Sequence, residues 1–309
     1  MKGWSLPLPL LLAAWCAQAA PLAFTRADAQ AAYAAAAGLV TNCTPRNAGT
    51  IRGRLAAEWI HDRVSRAGVD ARLDVFSAPV YDETALFANV VAEFPGTDPS
   101  APWIVLMSHY DTAPNVAPGF EGANDGASTS GLLVALAAAL RRADPLRDNV
   151  MLVWTDAEEC RIAYMPRDGF QGSRHLVASL RARRRAVKAA ICLDMLGDRD
   201  LTVEIPANAT PSLVALALRA ARAAGVADKV RRRDAIVVRD DHSAFLDAGL
   251  PAIDLIDFTY GSAPGKNDYW HTPQDTLDKI SADSLFVAGR LAAEMINLFS
   301  SETKRKDAP

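Results

Sequence analysis

The sequence predicts an α/β fold: a single-domain three-layer α/β/α sandwich around a mixed, mostly parallel central sheet. Short, near-continuous apolar runs at 103–107, 150–154, 189–195 and 252–256 read as strands buried on both faces. Ala/Leu-rich segments with helical spacing at 128–142, 173–183 and 212–224 alternate with them, and parallel strands need such crossovers. With 309 residues and 50% hydrophobic content, the chain can bury a large core.

Taken in order, residues 1–20 form a targeting segment. Lys2 supplies the positive start, 6–15 the apolar stretch, and Ala17-Gln18-Ala19 a small-residue cleavage site. Pro7 and Pro9 interrupt the apolar stretch, which is too short to span a bilayer. Bulky Trp15 before Cys16 argues against a lipid anchor. The expectation is a cleavable signal peptide and a secreted or periplasmic mature chain. An Ala-rich helix follows at 27–39, then a Pro/Asn/Gly break at 44–49. Ile51, Leu55, Trp59, Ile60 and Val64 sit at helical spacing in 50–66, which Gly68 ends. Residues 69–76 alternate as a half-buried strand, and 88–94 form another, closed by Pro95-Gly96.

The run 103–107 empties into His109 and Asp111. A polar loop rich in Gly and Pro leads to the helix at 128, with Ser128, Thr129 or Ser130 available as N-cap. Residues 201–205 read as a strand, and Gly225 ends the helix at 212–224. Ser281 and Ser284 open a closing amphipathic helix at 281–299, and 301–309 is expected to be a disordered charged tail. Residues 21–300 therefore read as one domain.

The net charge of −3 carries no nucleic-acid or polybasic membrane footprint, and the basic run 181–185 reads as a solvated helix end. With Cys16 in the signal, Cys43, Cys160 and Cys192 remain, an odd count without C-x-x-C spacing. A single disulfide is compatible with an oxidising compartment. Cys192, inside an apolar run, reads as a small buried hydrophobe.

Acids and imidazoles gather where predicted strands end. Asp125 follows the first crossover loop, Asp156-Ala157-Glu158-Glu159 follows 150–154, and Asp194 closes the next run. Asp240-Asp241-His242 precedes a helix, and Trp270-His271 follows the run at 252–256. Ligands of open α/β sheets bind beyond the carboxyl ends of the strands. Zn²⁺ takes His nitrogen and carboxylate oxygen, and two adjacent glutamates can divide metal binding from proton transfer. Singly, each feature has a plainer structural reading as surface charge, helix cap or core histidine. His61 and His175, inside helical stretches, are taken as structural.

These motifs, His109-Tyr110-Asp111, Gly122-Ala123-Asn124-Asp125, Asp156-Ala157-Glu158-Glu159, Leu193-Asp194-Met195, Asp240-Asp241-His242 and Trp270-His271-Thr272, resemble those of the zinc-dependent aminopeptidase superfamily. Within it the chain is most similar to glutaminyl-peptide cyclotransferases, over roughly 41–299. The resemblance implies a zinc aminopeptidase-like fold with Asp125, Glu159 and His271 as zinc ligands. It makes Glu158 the acid/base, Asp194 a partner of the leaving group and Asp240 part of the supporting network, with Asp111 orienting His109. Trp270, with Tyr164 or Tyr269, would hold the substrate side chain. Asp254 stands where animal cyclases have a histidine, Tyr164 where they have a tryptophan, and Ser108 where they have a cysteine.

The implied activity is conversion of N-terminal glutamine, or more slowly glutamate, to pyroglutamate with one zinc per chain. The implied partners are such peptides, with no nucleic acid, no stable membrane anchor after signal removal, and a monomeric state. A two-zinc aminopeptidase is the competing expectation, with Asp125 bridging and His109 and Asp194 completing the second metal site. A non-catalytic binding ectodomain is the third.

Overall fold

The computed structural model describes residues 21–81 and 83–306, so the expected signal peptide lies outside the described residues. The chain opens with α1 (Arg26–Cys43), capped by a reciprocal box in which Thr25 and Asp28 each accept the other's backbone N–H. Next come α2 (Ile51–Arg66), β1 (Ala71–Val80), β2 (Glu83–Phe94) and β3 (Trp103–His109). Then follow α3 (Thr129–Arg142), β4 (Asn149–Thr155), α4 (Gln171–Ala182), β5 (Val187–Asp194) and β6 (Val203–Pro206). The chain ends with α5 (Pro211–Ala223), β7 (Val230–Arg233), α6 (His242–Asp247), β8 (Ala252–Ile256) and α7 (Ala282–Lys306).

The eight strands form one sheet in the order β1-β2-β4-β3-β5-β8-β6-β7. Its centre, β4-β3-β5-β8, is parallel, while β1-β2, β2-β4 and β6-β8 pair antiparallel. Period two sorts the side chains of β3 between two cores. Ile104 and Leu106 join the larger core with α1, α2, α3, α5 and α7, whereas Val105 and Met107 pack on the other face with α4 and α6. This is the expected three-layer sandwich.

The edges differ from the sequence reading. β1 and β2 pair from Ala71↔Ala92 to Val80↔Glu83, so the hairpin runs well past 69–76 and 88–94. Ladder hydrogen bonds extend these strands through a half-exposed stretch that hydrophobicity alone does not mark. The basic strand β7 was not foreseen, since Arg231 and Arg233 lie on a sheet edge where both pair with Glu204. Helix α7 continues to Lys306, into the stretch expected as a disordered tail. Cys43, Cys160 and Cys192 are all unpaired. Among the described residues no helix is long and apolar enough to cross a membrane.

From β3 the chain crosses through α3 to β4 on one side, then through α4 to β5 on the other. The carboxyl ends of β3, β4 and β5 thus border a switch point in strand order, where a crevice opens.

Candidate active site and metal centre

His109 is the last residue of β3 and Asp194 the last of β5, while Glu158 and Glu159 leave β4 three and four residues beyond Thr155. Asp125 lies on a kinked turn, Ala123–Ser128, that leads into α3, with non-helical backbone at Asp125 and Gly126. The hydroxyls expected to cap α3 serve this turn and its neighbours instead. Ser128 Oγ donates to Asn124 O at 2.6 Å, Ser130 Oγ donates to His109 O at 2.9 Å, and Thr129 Oγ1 accepts from Ser108. Gly126 has φ +86°, and a Cβ there would lie 2.9 Å from both Asp111 O and the His109 ring. Only glycine lets the backbone pass so close to the imidazole.

Asp125 stands between two imidazoles. Its Oδ1 lies 3.1 Å from His109 Nε2 and its Oδ2 3.3 Å from His271 Nε2. His271 Nε2 is also 3.0 Å from Glu159 Oε1, and His109 Nε2 is 3.1 Å from Asp194 Oδ1. Two groups with metal-ligand chemistry result, Asp125–Glu159–His271 and His109–Asp125–Asp194, sharing one carboxylate. The first suits a cation well, because Asp125 Oδ2 is buried and makes no hydrogen bond.

Asp111, expected to orient His109, lies 3.6 Å from its Nδ1, which makes no hydrogen bond. Its two oxygens accept the backbone N–H groups of Glu158 and Glu159, each at 3.2 Å. Three non-glycine residues here have positive φ: Ala157 at 57°, Met195 at 54° and His271 at 52°. Each is a ligand candidate or adjoins an acid of the site, and such backbone outliers concentrate at functional centres.

The electrostatics follow from crowding. Burial favours the neutral form of Asp125, but the facing imidazoles of His109 and His271 outweigh it and hold the carboxyl well below its usual range. Burial and then the neighbouring Glu159 and Asp240 push Glu158 well up. Glu159, buried beside Asp125, is pushed up to about 7. Burial lowers the proton affinity of His271, yet its bonds to Asp125 and Glu159 prevail and raise it to about 10.

A cavity of about 250 Å³ opens over this cluster, lined by Asp125, Glu158, Glu159, Asp194, Asp240 and His271, with Tyr164, Phe258 and Trp270 as aromatic wall. Tyr164 donates to Glu158 Oε2 and Glu159 Oε2, each at 3.3 Å, and Trp270 stacks on His271 with ring centroids 4.1 Å apart. Tyr269 does not line this cavity. Its ring lies edge-on to Tyr260, 5.3 Å away, and Phe258 takes the wall position instead. The loop carrying Tyr164 is anchored by Asp168, which accepts N–H groups from Arg161, Ile162 and Ala163.

Behind the cavity, Asp240, Asp241 and Asp254 are buried together with Cys192, whose Sγ lies 3.4 Å from Asp240 Oδ1. His242 borders them. Asn208 is oriented by Val238, accepting its N–H through Oδ1 and donating Nδ2 to its carbonyl, so the amide also donates to His242 Nε2. The histidine proton therefore sits on Nδ1, facing Asp254 Oδ2 at 4.0 Å. Burial keeps this ring neutral, with its pKa lowered to about 3.

Two supporting residues escaped the sequence reading. Arg46, fully buried, donates to the carbonyls of Tyr110, Glu121, Gly122 and Asp125. Asp275 accepts the backbone N–H groups of Asn124 and Asp125. An arginine in a Pro/Asn/Gly break and an aspartate four residues past His271 were the available signals.

Residues 89–296 match the Peptidase family M28 model. The chain belongs to peptidase family M28. The M28 match takes in every acid and imidazole of the cluster and leaves Arg46 outside it. The chain is similar to the crystal structure of an Acidobacteriales bacterium glutaminyl cyclase, 33% identical, with TM-score 0.83, covering 96% of this chain and all of that one. Similarity extends to the Porphyromonas gingivalis glutaminyl cyclase, 26% identical with TM-score 0.77, over 88% of this chain and 98% of that one. A Drosophila melanogaster glutaminyl-peptide cyclotransferase is 26% identical over 291 residues, 84% of this chain and 79% of the relative.

Proposed function

We propose that this M28 chain is a glutaminyl-peptide cyclotransferase, converting the N-terminal glutamine of peptides to pyroglutamate and releasing ammonia. The observation that carries the reading is the cavity itself. It places Glu158 and the Asp125–Glu159–His271 group in one aromatic-walled space of about 250 Å³, the scale of a single side chain. The similarity to glutaminyl cyclases over nearly the full chain supports it.

Asp125, Glu159 and His271 would hold one zinc, which when bound supplies Lewis-acid polarisation of the side-chain γ-carbonyl. The substrate's α-nitrogen bonds to the γ-carbon, the bond from that carbon to the amide nitrogen breaks, and ammonia leaves. Glu158 takes a proton from the α-amine and gives it to the departing nitrogen. A carboxyl whose proton affinity is raised by burial and by Glu159 suits that exchange near neutral pH. Asp194, on the cavity wall, steadies the leaving nitrogen, and Asp240 supports the acids from behind. Trp270, Phe258 and Tyr164 hold the methylenes and exclude the water that would hydrolyse the substrate instead.

The second group, His109–Asp125–Asp194, favours one alternative, a two-zinc aminopeptidase with Glu158 activating water. Incubation of the zinc-loaded protein with a glutamine-initiated peptide separates the two. The expected product is lighter by one ammonia at unchanged length, whereas loss of the whole first residue overturns the cyclase reading. We also read the chain as exported, with residues 1–20 removed. A mature chain that keeps Met1 would refute that.

A further inference from the structure

Three depressions on the surface share residues. Glu159 lines both the catalytic cavity and a second hollow of about 430 Å³, whose wall includes Thr50, Asn115 and Arg161. Thr50 lines both that hollow and a third, of about 370 Å³, formed between α2 and β2 by Ile51, Leu55 and Leu86. Each hollow shares a wall residue with the next, so the three lie side by side leading away from the buried Glu159. The far end is open and carries three exposed aliphatic side chains beside Arg54 and Glu58: Ile51 is 82% exposed, Leu55 52% and Leu86 66%. Large aliphatic side chains clustered in water around a concavity mark a surface that takes a partner. One of its walls also carries Asp156, only 2% exposed, whose Oδ1 has no hydrogen-bond partner.

Resting on the cyclotransferase reading, we propose that this furrow is an extended subsite for the substrate polypeptide downstream of its N-terminal glutamine. The occupant is fixed by continuity, because the chain that follows a side chain held over Glu159 must leave the cavity, and the adjoining hollow shares that residue. The middle hollow, with Thr50, Asn115 and Arg161, takes polar or acidic residues directly after the glutamine. The end formed by Ile51, Leu55 and Leu86 takes an aliphatic or aromatic side chain several residues along. An extended chain advances about 3.3 Å per residue, so a dipeptide ends close to the glutamine cavity and only longer substrates reach the far end. The protein is thereby selective for longer peptides with an early acidic residue and an apolar residue after it.

The test compares kcat/KM for Gln-Ala with that for Gln-Glu-Ala-Leu-Leu, read as ammonia release, in the wild type and in the double variant Ile51→Glu with Leu86→Glu. Both substitutions fall on exposed side chains, and an unchanged far-ultraviolet circular dichroism spectrum verifies the fold. The expected wild-type ratio favours the pentapeptide by about tenfold or more, the scale of one buried aliphatic side chain. In the double variant that ratio falls to about one. A wild-type ratio near one, or a ratio the substitutions do not change, overturns the subsite. Release of free glutamine from both peptides would instead overturn the cyclase reading, and the same length ratio, read on that release, would decide the subsite.

Discussion

Asp275 accepts the backbone N–H of Asp125 at 3.1 Å through one oxygen, and that of Asn124 at 2.7 Å through the other. Asp275 lies four residues beyond His271, so one buried carboxylate ties the two loops that bring Asp125 and His271 together. Tyr260 donates a further hydrogen bond to it at 2.8 Å. Groups that orient metal ligands in this way are worth about 10–100-fold in metal affinity. Asp275→Ala is therefore expected to weaken zinc binding by about that factor while leaving the fold intact. Competition with a chelating dye measures it, and an unchanged zinc affinity would show that the loop holds its shape without Asp275.

Glu158→Gln separates proton transfer from binding. Glutamine keeps the shape of the side chain and removes the titrating oxygen, while Asp111 still holds the backbone N–H at this position. Turnover is expected to fall by about 10²–10⁴-fold with KM little changed and zinc still bound, as for loss of a general acid/base. Retained turnover would move the proton exchange to another group.

The sheet centre and the acids at its strand ends were legible because the signals there are local. Apolar runs stop abruptly at His109, Thr155 and Asp194, which end β3, β4 and β5. What was not legible acts at a distance and on backbone. Arg46 and Gly122 are 76 residues apart and Asp275 and Asp125 are 150 apart, and in each case one partner is a main-chain group that no residue type announces. Tyr269 lies outside the cavity lining while Trp270 is part of it, and sequence adjacency does not tell which of two neighbouring aromatics faces the site. Ser128 takes the N-cap position of α3 as expected but makes no side-chain cap bond, because its hydroxyl donates to Asn124 O in the kinked turn before the helix.

The buried acids make the metal-free protein pH-sensitive in a definite direction. Burial, and then the neighbouring Asp194, pushes Asp240 up to about 7, and burial with Asp240 does the same to Asp241. In the unfolded chain both titrate near 4. Between about pH 4 and 7 these two groups thus hold more protons in the folded state, so their contribution to stability is greatest below that window and falls as pH rises through it. His271, raised to about 10, continues the fall above pH 7. Urea midpoints of chelator-treated protein are expected to drop from pH 5 to 9, with a shallower drop from 5 to 7 in Asp241→Asn. Zinc should flatten the alkaline part, because it occupies the histidine nitrogen in place of the proton. A midpoint that rises with pH would contradict this electrostatic picture.

Arg46 supplies the most severe test of how the metal loop is supported. Its guanidinium stays charged at neutral pH although burial lowers its pKa to about 10. It feeds four carbonyls that surround the Asp125 turn, and its own backbone N–H is held by Thr112 Oγ1 at 3.2 Å. Arg46→Met keeps the stem but strands those acceptors, each costing about 1–3 kcal/mol when buried without a donor. The expected result is a loss of several kcal/mol in urea unfolding and a zinc affinity weakened by at least about tenfold. Arg46→Lys presents three donors from one point in place of the planar fork, so it should recover part of the stability but little of the zinc affinity. If lysine restored both fully, the positive charge facing Asp125, Asp111 and Asp275 would be what matters, and the geometry of the fork would not.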